Sequence, residues 1–174
     1  MSSASVAVVP GSAIVNQWEV VPRSLLSRHF DLLRDGQIVV SLEMAMFREA
    51  CNFSIAGHDF AIRHTSIWKD TFQLLVGDKP VCEVTRGFWS RRFQLAAIEQ
   101  LWALQPIGIF SRGYQLLSGT DEVGVIRPAG WFTRRRFANF TDDVPPPVQV
   151  LAIFLVLIIS NRQQHHSAHS GGVG

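Results

Sequence analysis

Charge is scarce in this chain. Only 17% of its 174 residues are charged. That is below the usual quarter, so part of the surface is expected to be apolar or covered. The formal net charge of +2 is too small for bulk nucleic-acid binding, and nucleic acid is not expected as a partner. Lysine is almost missing: 14 of the 16 basic residues are Arg, and they cluster, so local patches matter more than the total. Cysteine is limited to Cys51 and Cys82. Neither has a CxxC partner spacing and both sit in apolar, strand-like stretches. This argues against a disulfide scaffold or a zinc site and predicts buried, reduced thiols. The N-terminus lacks a basic segment, and its apolar residues 6–9 are broken by Pro10-Gly11. A secretory signal is therefore not expected, which places the protein on the cytoplasmic side.

Catalytic patterning is missing as well. Outside the tail the histidines are His29, His58 and His64, and none has a nucleophile–base spacing. Asp142-Asp143 precede an apolar helix, where N-terminal charge already explains them. There is no phosphate loop or metal motif. No cofactor, metal or catalytic residue is expected, and the chain reads as a binding or scaffold protein. His165, His166 and His169 fall in a Gln/His/Ser/Gly tail, read as low-complexity sequence and not as a metal site.

What is present is a repeat. Phe30, Phe72 and Tyr114 lie 42 residues apart and each begins an aromatic-x-Leu-Leu string. The register continues through Val39, Val81 and Val123, then Leu42, Val84 and Ile126. It holds again at Phe47, Trp89 and Trp131, and at Phe53, Leu95 and Phe137. Turns fall at matching places: Asp35-Gly36, Gly77-Asp78-Lys79-Pro80 and Ser118-Gly119-Thr120-Asp121. A tryptophan strand follows the hairpin in copies two and three, over 88–95 and 131–140. A fourth strand closes each complete unit, as at 60–64. Residues 95–104 suit a short helix as well as a strand. Two full copies and a truncated third predict about twelve strands. A β-propeller shares this period, but it needs at least four blades and has no place for an apolar helix.

Such a helix is predicted over about 146–160, built on the apolar run 148–159. Twelve residues span about 18 Å, whereas a bilayer core is about 30 Å thick. Apolar on every side except at Gln149, the helix must be surrounded by protein if it is not in lipid. Twelve strands about 4.8 Å apart and tilted about 40° close into a barrel about 24 Å across, leaving about 12 Å inside its side chains. That is roughly the width of an α-helix. The expected organisation is a disordered segment 1–16, one domain over 17–161 and a disordered tail 162–174. The expected fold is mainly β: a closed antiparallel barrel around a buried C-terminal helix.

The hairpins FDLLRDGQIVV, FQLLVGDKPVCEV and YQLLSGTDEVGVI, the strands GFWSRRF and GWFTRRRF, and the final VQVLAIFLVLIIS together resemble the tubby C-terminal fold, shared with LURP-one-related proteins and phospholipid scramblases. The resemblance implies a twelve-stranded barrel threaded by a hydrophobic helix. For its tubby branch it implies phosphoinositide binding through basic residues. The chain has no scramblase-like acidic calcium segment and no palmitoylatable cysteine cluster, and no family site residue is carried over.

The arginines of the tryptophan strands remain. Arg86, Arg91 and Arg92 flank Trp89, and Arg127 and Arg134, Arg135 and Arg136 flank Trp131. Guanidinium forks bind phosphate bidentately and Trp anchors at membrane interfaces. Arg91, Arg92, Arg134, Arg135 and Arg136 are therefore the candidate lipid-binding residues. The alternative is that these arginines simply solvate the outer barrel face while the Trp packs inward. The functional expectation is peripheral association with anionic membrane phospholipid; no protein partner is indicated. The alternatives are a C-terminally anchored membrane protein using 148–159, or a scramblase-like lipid transporter.

Overall fold

A computed structural model describes residues 16–24, 28–44, 49–66, 68–86, 92–108, 111–131 and 133–169. The strands are β1 (Asn16–Pro22), β2 (His29–Arg34), β3 (Gln37–Glu43), β4 (Cys51–Ile55), β5 (His58–Ser66) and β6 (Thr71–Val76). They continue with β7 (Lys79–Arg86), β8 (Phe93–Ala97), β9 (Leu101–Pro106), β10 (Tyr114–Ser118), β11 (Asp121–Pro128) and β12 (Arg136–Phe140). One helix, α1 (Pro146–His169), follows. All twelve strands form one antiparallel sheet in the order β3-β2-β1-β12-β11-β10-β9-β8-β7-β6-β5-β4. Its edge strands β3 and β4 approach within 8 Å between Cα atoms, so the sheet wraps into a nearly closed barrel.

The repeat is visible in the pairing. Phe30 faces Leu42, Phe72 faces Val84 and Tyr114 faces Ile126 across the three equivalent hairpins. Each hairpin carries a bulge at the same point, after Leu32, Leu74 and Leu116. The residues the bulges leave unpaired are Val39, Val81 and Val123, which explains why that column recurs. The neighbours Val40 and Cys82 face the core instead, and Val39 is exposed. The turn positions Asp35, Gly77 and Gly119 all have positive φ, at 52°, 58° and 61°. Such turns match the right-handed twist of the strands they join.

Three expectations need correction. Residues 95–104 contain no helix: they are the end of β8, a tight turn and the start of β9. The third copy is shifted by one residue at its last strand, so Phe137 is exposed where Phe53 and Leu95 are buried, and Ala138 and Phe140 face inward. Space decides this. Gly124 pairs with Phe140, and a Cβ on that glycine would lie 2.8 Å from Phe140 Cε1. The tryptophan strands also start later than expected. β12 begins at Arg136, and Trp131 stands in the preceding turn, 81% exposed, so it is not part of the barrel wall. Trp89, its repeat equivalent, lies outside the described residues.

The truncated third copy is completed from the other end of the chain. β1 pairs with β12 as β5 pairs with β4 and β9 with β8. Trp18 thus occupies the place of Phe60 and Trp102, each opposite an inward residue of the neighbouring strand.

The helix fills the barrel. Every residue from Val148 to Ile158 is buried, and Phe154 meets Phe72 edge-on with ring centroids 6.3 Å apart. The one polar member of this run, Gln149, is fully satisfied. Its Oε1 accepts from Trp18 Nε1 at 2.6 Å and its Nε2 donates to the Val144 carbonyl at 2.7 Å. The Arg34 guanidinium lies 4.1 Å from the Trp18 ring centroid, and its Nη2 also donates to Gln149 Oε1 at 3.5 Å. Cys51 and Cys82 are free and buried, and burial pushes both thiols up to about 12. The helix outruns its expected end near residue 160 and continues to His169, into the stretch read as a disordered tail. No Pro or Gly interrupts 161–169, and the side chains of Asn161 and Arg162 are held by the barrel rim.

Candidate functional site: the loop-bearing mouth

Because all neighbouring strands are antiparallel, successive connections alternate between the two ends of the barrel. The hairpin turns 35–36, 56–57, 77–78, 98–100 and 119–120 lie at one end, with the segment leading into α1. The longer connections 23–28, 44–50, 67–70, 87–92, 107–113 and 129–135 all lie at the other, where the last turns of α1 emerge. This second end is the mouth.

Charge separates along the barrel axis. The turn end carries Asp35, Asp59, Asp78, Glu99, Asp121, Glu122, Asp142 and Asp143, against Arg34 and Lys79. Among the described residues the mouth carries Arg23, Arg28, Lys69, Arg86, Arg92, Arg112, Arg134, Arg136 and Arg162, against Asp31, Glu43, Glu49 and Asp70. The arrangement also complements the helix dipole, whose positive end lies among the acidic residues and whose negative end points out through the basic mouth. Two tryptophans project there: Trp68 is 95% exposed and Trp131 is 81% exposed. Ile98 is exposed at the opposite end, among the acidic residues.

The five candidate arginines are not one face. Arg91 lies outside the described residues, and Arg92 is exposed just before β8. Arg135 points outward from the barrel and is paired with Glu19 of β1. Its neighbours turn the other way. Arg134 Nη2 donates to Asn161 Oδ1 at 3.4 Å and its guanidinium lies 5.1 Å from the Phe30 ring centroid. Arg136 Nη2 donates to Ser160 Oγ at 2.6 Å. The Arg134–Arg136 triplet, which leads into β12, is therefore divided between the outer wall and the mouth.

A second cluster grips the emerging helix. Arg162 Nε donates to Glu49 Oε1 at 2.7 Å while Nη2 also reaches Glu49 Oε2. The same guanidinium donates to both oxygens of Asp70, at 2.9 and 2.8 Å, and Arg86 Nη1 donates to Asp70 Oδ2 at 2.9 Å. Burial acts to raise the Asp70 pKa, but the hydrogen bonds from Arg162 and Arg86 outweigh it and hold the carboxyl below its ordinary value. Hydrogen bonding to Glu49, and then to Asp70, raises Arg162 above its own. Both acids sit in connections at positive φ, 41° for Glu49 and 50° for Asp70, which aims them at the helix. His64 stacks on Phe72 behind them, with ring centroids 4.5 Å apart. Glu49, His64 and Asp70 bring ligand-type atoms within 4.8 Å of one another. Arg162 already occupies both carboxylates, so the group works as a latch between α1 and two mouth loops.

Sequence reasoning passed over Arg112, Glu49, Asp70 and Trp68 as site residues, although Asp70 and Arg112 lie 42 residues apart, because that column changes charge between copies. The usable signal was positional: each lies in a connection at the mouth or on the last turns of the helix. Compared with known proteins, the chain matches no family model, no curated protein and no solved structure.

Proposed function

We propose that this protein is a binding module that associates peripherally with anionic membranes, presenting its mouth to the lipid surface. The observation carrying this reading is the segregation of basic residues and exposed Trp68 and Trp131 at one end of a barrel whose other end is acidic. A basic residue near an anionic surface contributes about 1 kcal/mol, and Trp favours the headgroup region. Their sum supports weak, reversible attachment. The acidic end would be repelled, so the charge separation favours a single orientation. Resemblance to tubby-type barrels points the same way.

The packing of α1 weighs against the anchored alternative. Pro146–Gln163 is long and apolar enough to cross a membrane by composition, but 61% of it is buried within the barrel. Its apolar surface is already used.

Vesicle co-sedimentation tests the reading. The protein should pellet with phosphatidylserine vesicles and not with phosphatidylcholine vesicles. Binding should fall steeply between about 0.05 and 0.5 M salt, as the screening length shrinks to a few Å. The Trp68→Ser, Trp131→Ser double variant should bind more weakly while melting at the native temperature. Equal binding to both vesicle types, or none to either, would sink the proposal.

A further inference from the structure

Beside the helix, where it leaves the barrel, the mouth holds an open cavity of about 420 Å³. That volume falls within the range of small-molecule sites, about 300 to 1,000 Å³. Arg112, Arg134 and Arg136 line it together with Thr133, Ser160 and Asn161. The bonding of Arg112 and Arg136 differs from that of the four arginines that pair with carboxylates. Arg23 sits on Asp31, Arg86 and Arg162 on Asp70, and Arg135 on Glu19. By contrast, Arg112 Nη1 donates to the Trp131 carbonyl at 2.8 Å, and Arg136 donates to Ser160 Oγ and, at 3.4 Å, to the Arg112 carbonyl. For Arg112 and Arg136 the acceptors are neutral oxygens.

Those contacts fix each fork without neutralising it. Burial lowers Arg136 from its ordinary value; Tyr114 opposes this and the neighbouring Arg112 charge adds to it. Like charges directed at one cavity are unfavourable unless an anion lies between them. Guanidinium forks select a planar or tetrahedral oxyanion able to accept several hydrogen bonds. Arg112 also braces Trp131, with its guanidinium 5.9 Å from the ring centroid. Binding in the cavity would therefore bear on an exposed tryptophan.

We propose that this cavity binds a terminal phosphate group, carried either by a lipid headgroup or by a soluble phosphate compound, with Arg112 and Arg136 as its principal donors. It rests on the membrane reading only where lipid is the source.

Isothermal titration of the full chain with inorganic pyrophosphate tests the soluble source. Saturable one-to-one binding is expected. Arg112→Gln, a change at an exposed residue, should weaken it about tenfold or more, since a hydrogen bond to a charged group contributes about 1.5 to 3 kcal/mol. Arg135→Gln, on the outer wall, should leave it unchanged. Phosphatidic acid vesicles, whose headgroup is a terminal phosphate, test the lipid source. They should bind better than phosphatidylserine vesicles at matched charge, with the excess lost in Arg112→Gln. Either Arg112-dependent signal supports the cavity. Pyrophosphate binding without any vesicle binding would sustain the cavity and defeat the membrane reading. Vesicle binding that ignores both headgroup and Arg112, with no saturable pyrophosphate binding, would defeat the cavity and leave the membrane reading standing. Equal weakening by Arg112→Gln and Arg135→Gln would mean general charge screening and would also overturn the cavity.

Discussion

Leu155→Arg is expected to abolish cooperative folding. Leu155 is 1% exposed, on a helix whose neighbouring turns are buried on every side by the barrel. Among the described buried residues there is no carboxylate to receive a guanidinium. An uncompensated buried charge costs about 3 to 5 kcal/mol, and losing a buried Leu side chain forfeits a further 1.5 to 3 or so. Against a typical domain stability of about 5 to 15 kcal/mol, that leaves little or no folded population. A chain ending at Pro147 should fare worse, because the inward side chains of all twelve strands would then face a void. Thermal melts followed by circular dichroism should show no cooperative transition for either variant. A sharp transition near the native temperature would mean that the helix is not part of the core.

Trp18→Ala should be the next most damaging change. Trp18 is fully buried, and β1 has no turn to hold it against β12, with which it completes the third repeat. Truncating a buried Trp costs about 3 to 5 kcal/mol. The change also removes the Nε1 donor from buried Gln149 Oε1, leaving it the longer bond from Arg34 Nη2 at 3.5 Å. Trp18→Phe isolates that second effect, and should cost about 0.5 to 1.5 kcal/mol for the lost hydrogen bond in addition to the packing loss. The pair is coupled. Trp18→Phe combined with Gln149→Leu should cost less than the two single changes added together, as removing both ends of a buried polar contact is milder than removing one. Strict additivity in urea denaturation would show that the Trp18–Gln149 contact contributes nothing.

Much of the fold was legible because a repeat multiplies weak local signals. Phe30, Phe72 and Tyr114 mark equivalent strands, and the turn residues at 35, 77 and 119 all adopt positive φ. The buried helix was legible from its all-round apolarity. Even the recurring Val39, Val81 and Val123 carried information, although their meaning, a bulge in every hairpin, depends on backbone pairing that no side-chain pattern displays. The failures have local causes. Phe137 broke its column because Gly124 yields room to Phe140 and the last strand slips by one residue. Residues 95–104 satisfied two periodicities, and the pairing of Phe93 with Leu104 and Leu95 with Trp102 decided between them. The helix outran the apolar run that marked it because no Pro or Gly interrupts 161–169 and Arg134, Glu49 and Asp70 hold Asn161 and Arg162.

The candidate site was less legible. Clustering along the chain led to Arg134, Arg135 and Arg136 as a unit, yet in the segment that leads into β12 the middle member pairs with Glu19 on the outer wall while its neighbours reach Asn161 and Ser160 of the helix. Grouping the connections by barrel end brings Trp68, Arg112, Trp131 and Arg162 together, although they are far apart in sequence. That grouping needs a complete antiparallel strand order, including the return of β1 to β12.

Quenching of tryptophan emission by brominated lipid tests most directly whether the mouth faces the membrane. Trp18 and Trp102 are buried in the barrel wall, whereas Trp68 and Trp131 stand exposed at the mouth. On vesicles of brominated phosphatidylserine, emission from the mouth should be quenched, and the Trp68→Phe, Trp131→Phe variant should lose much of that quenching while remaining bound. With Trp89→Phe present in both proteins, vesicle-bound protein whose emission is unquenched, or quenched to the same extent after the Trp68 and Trp131 changes, would contradict a mouth-first orientation.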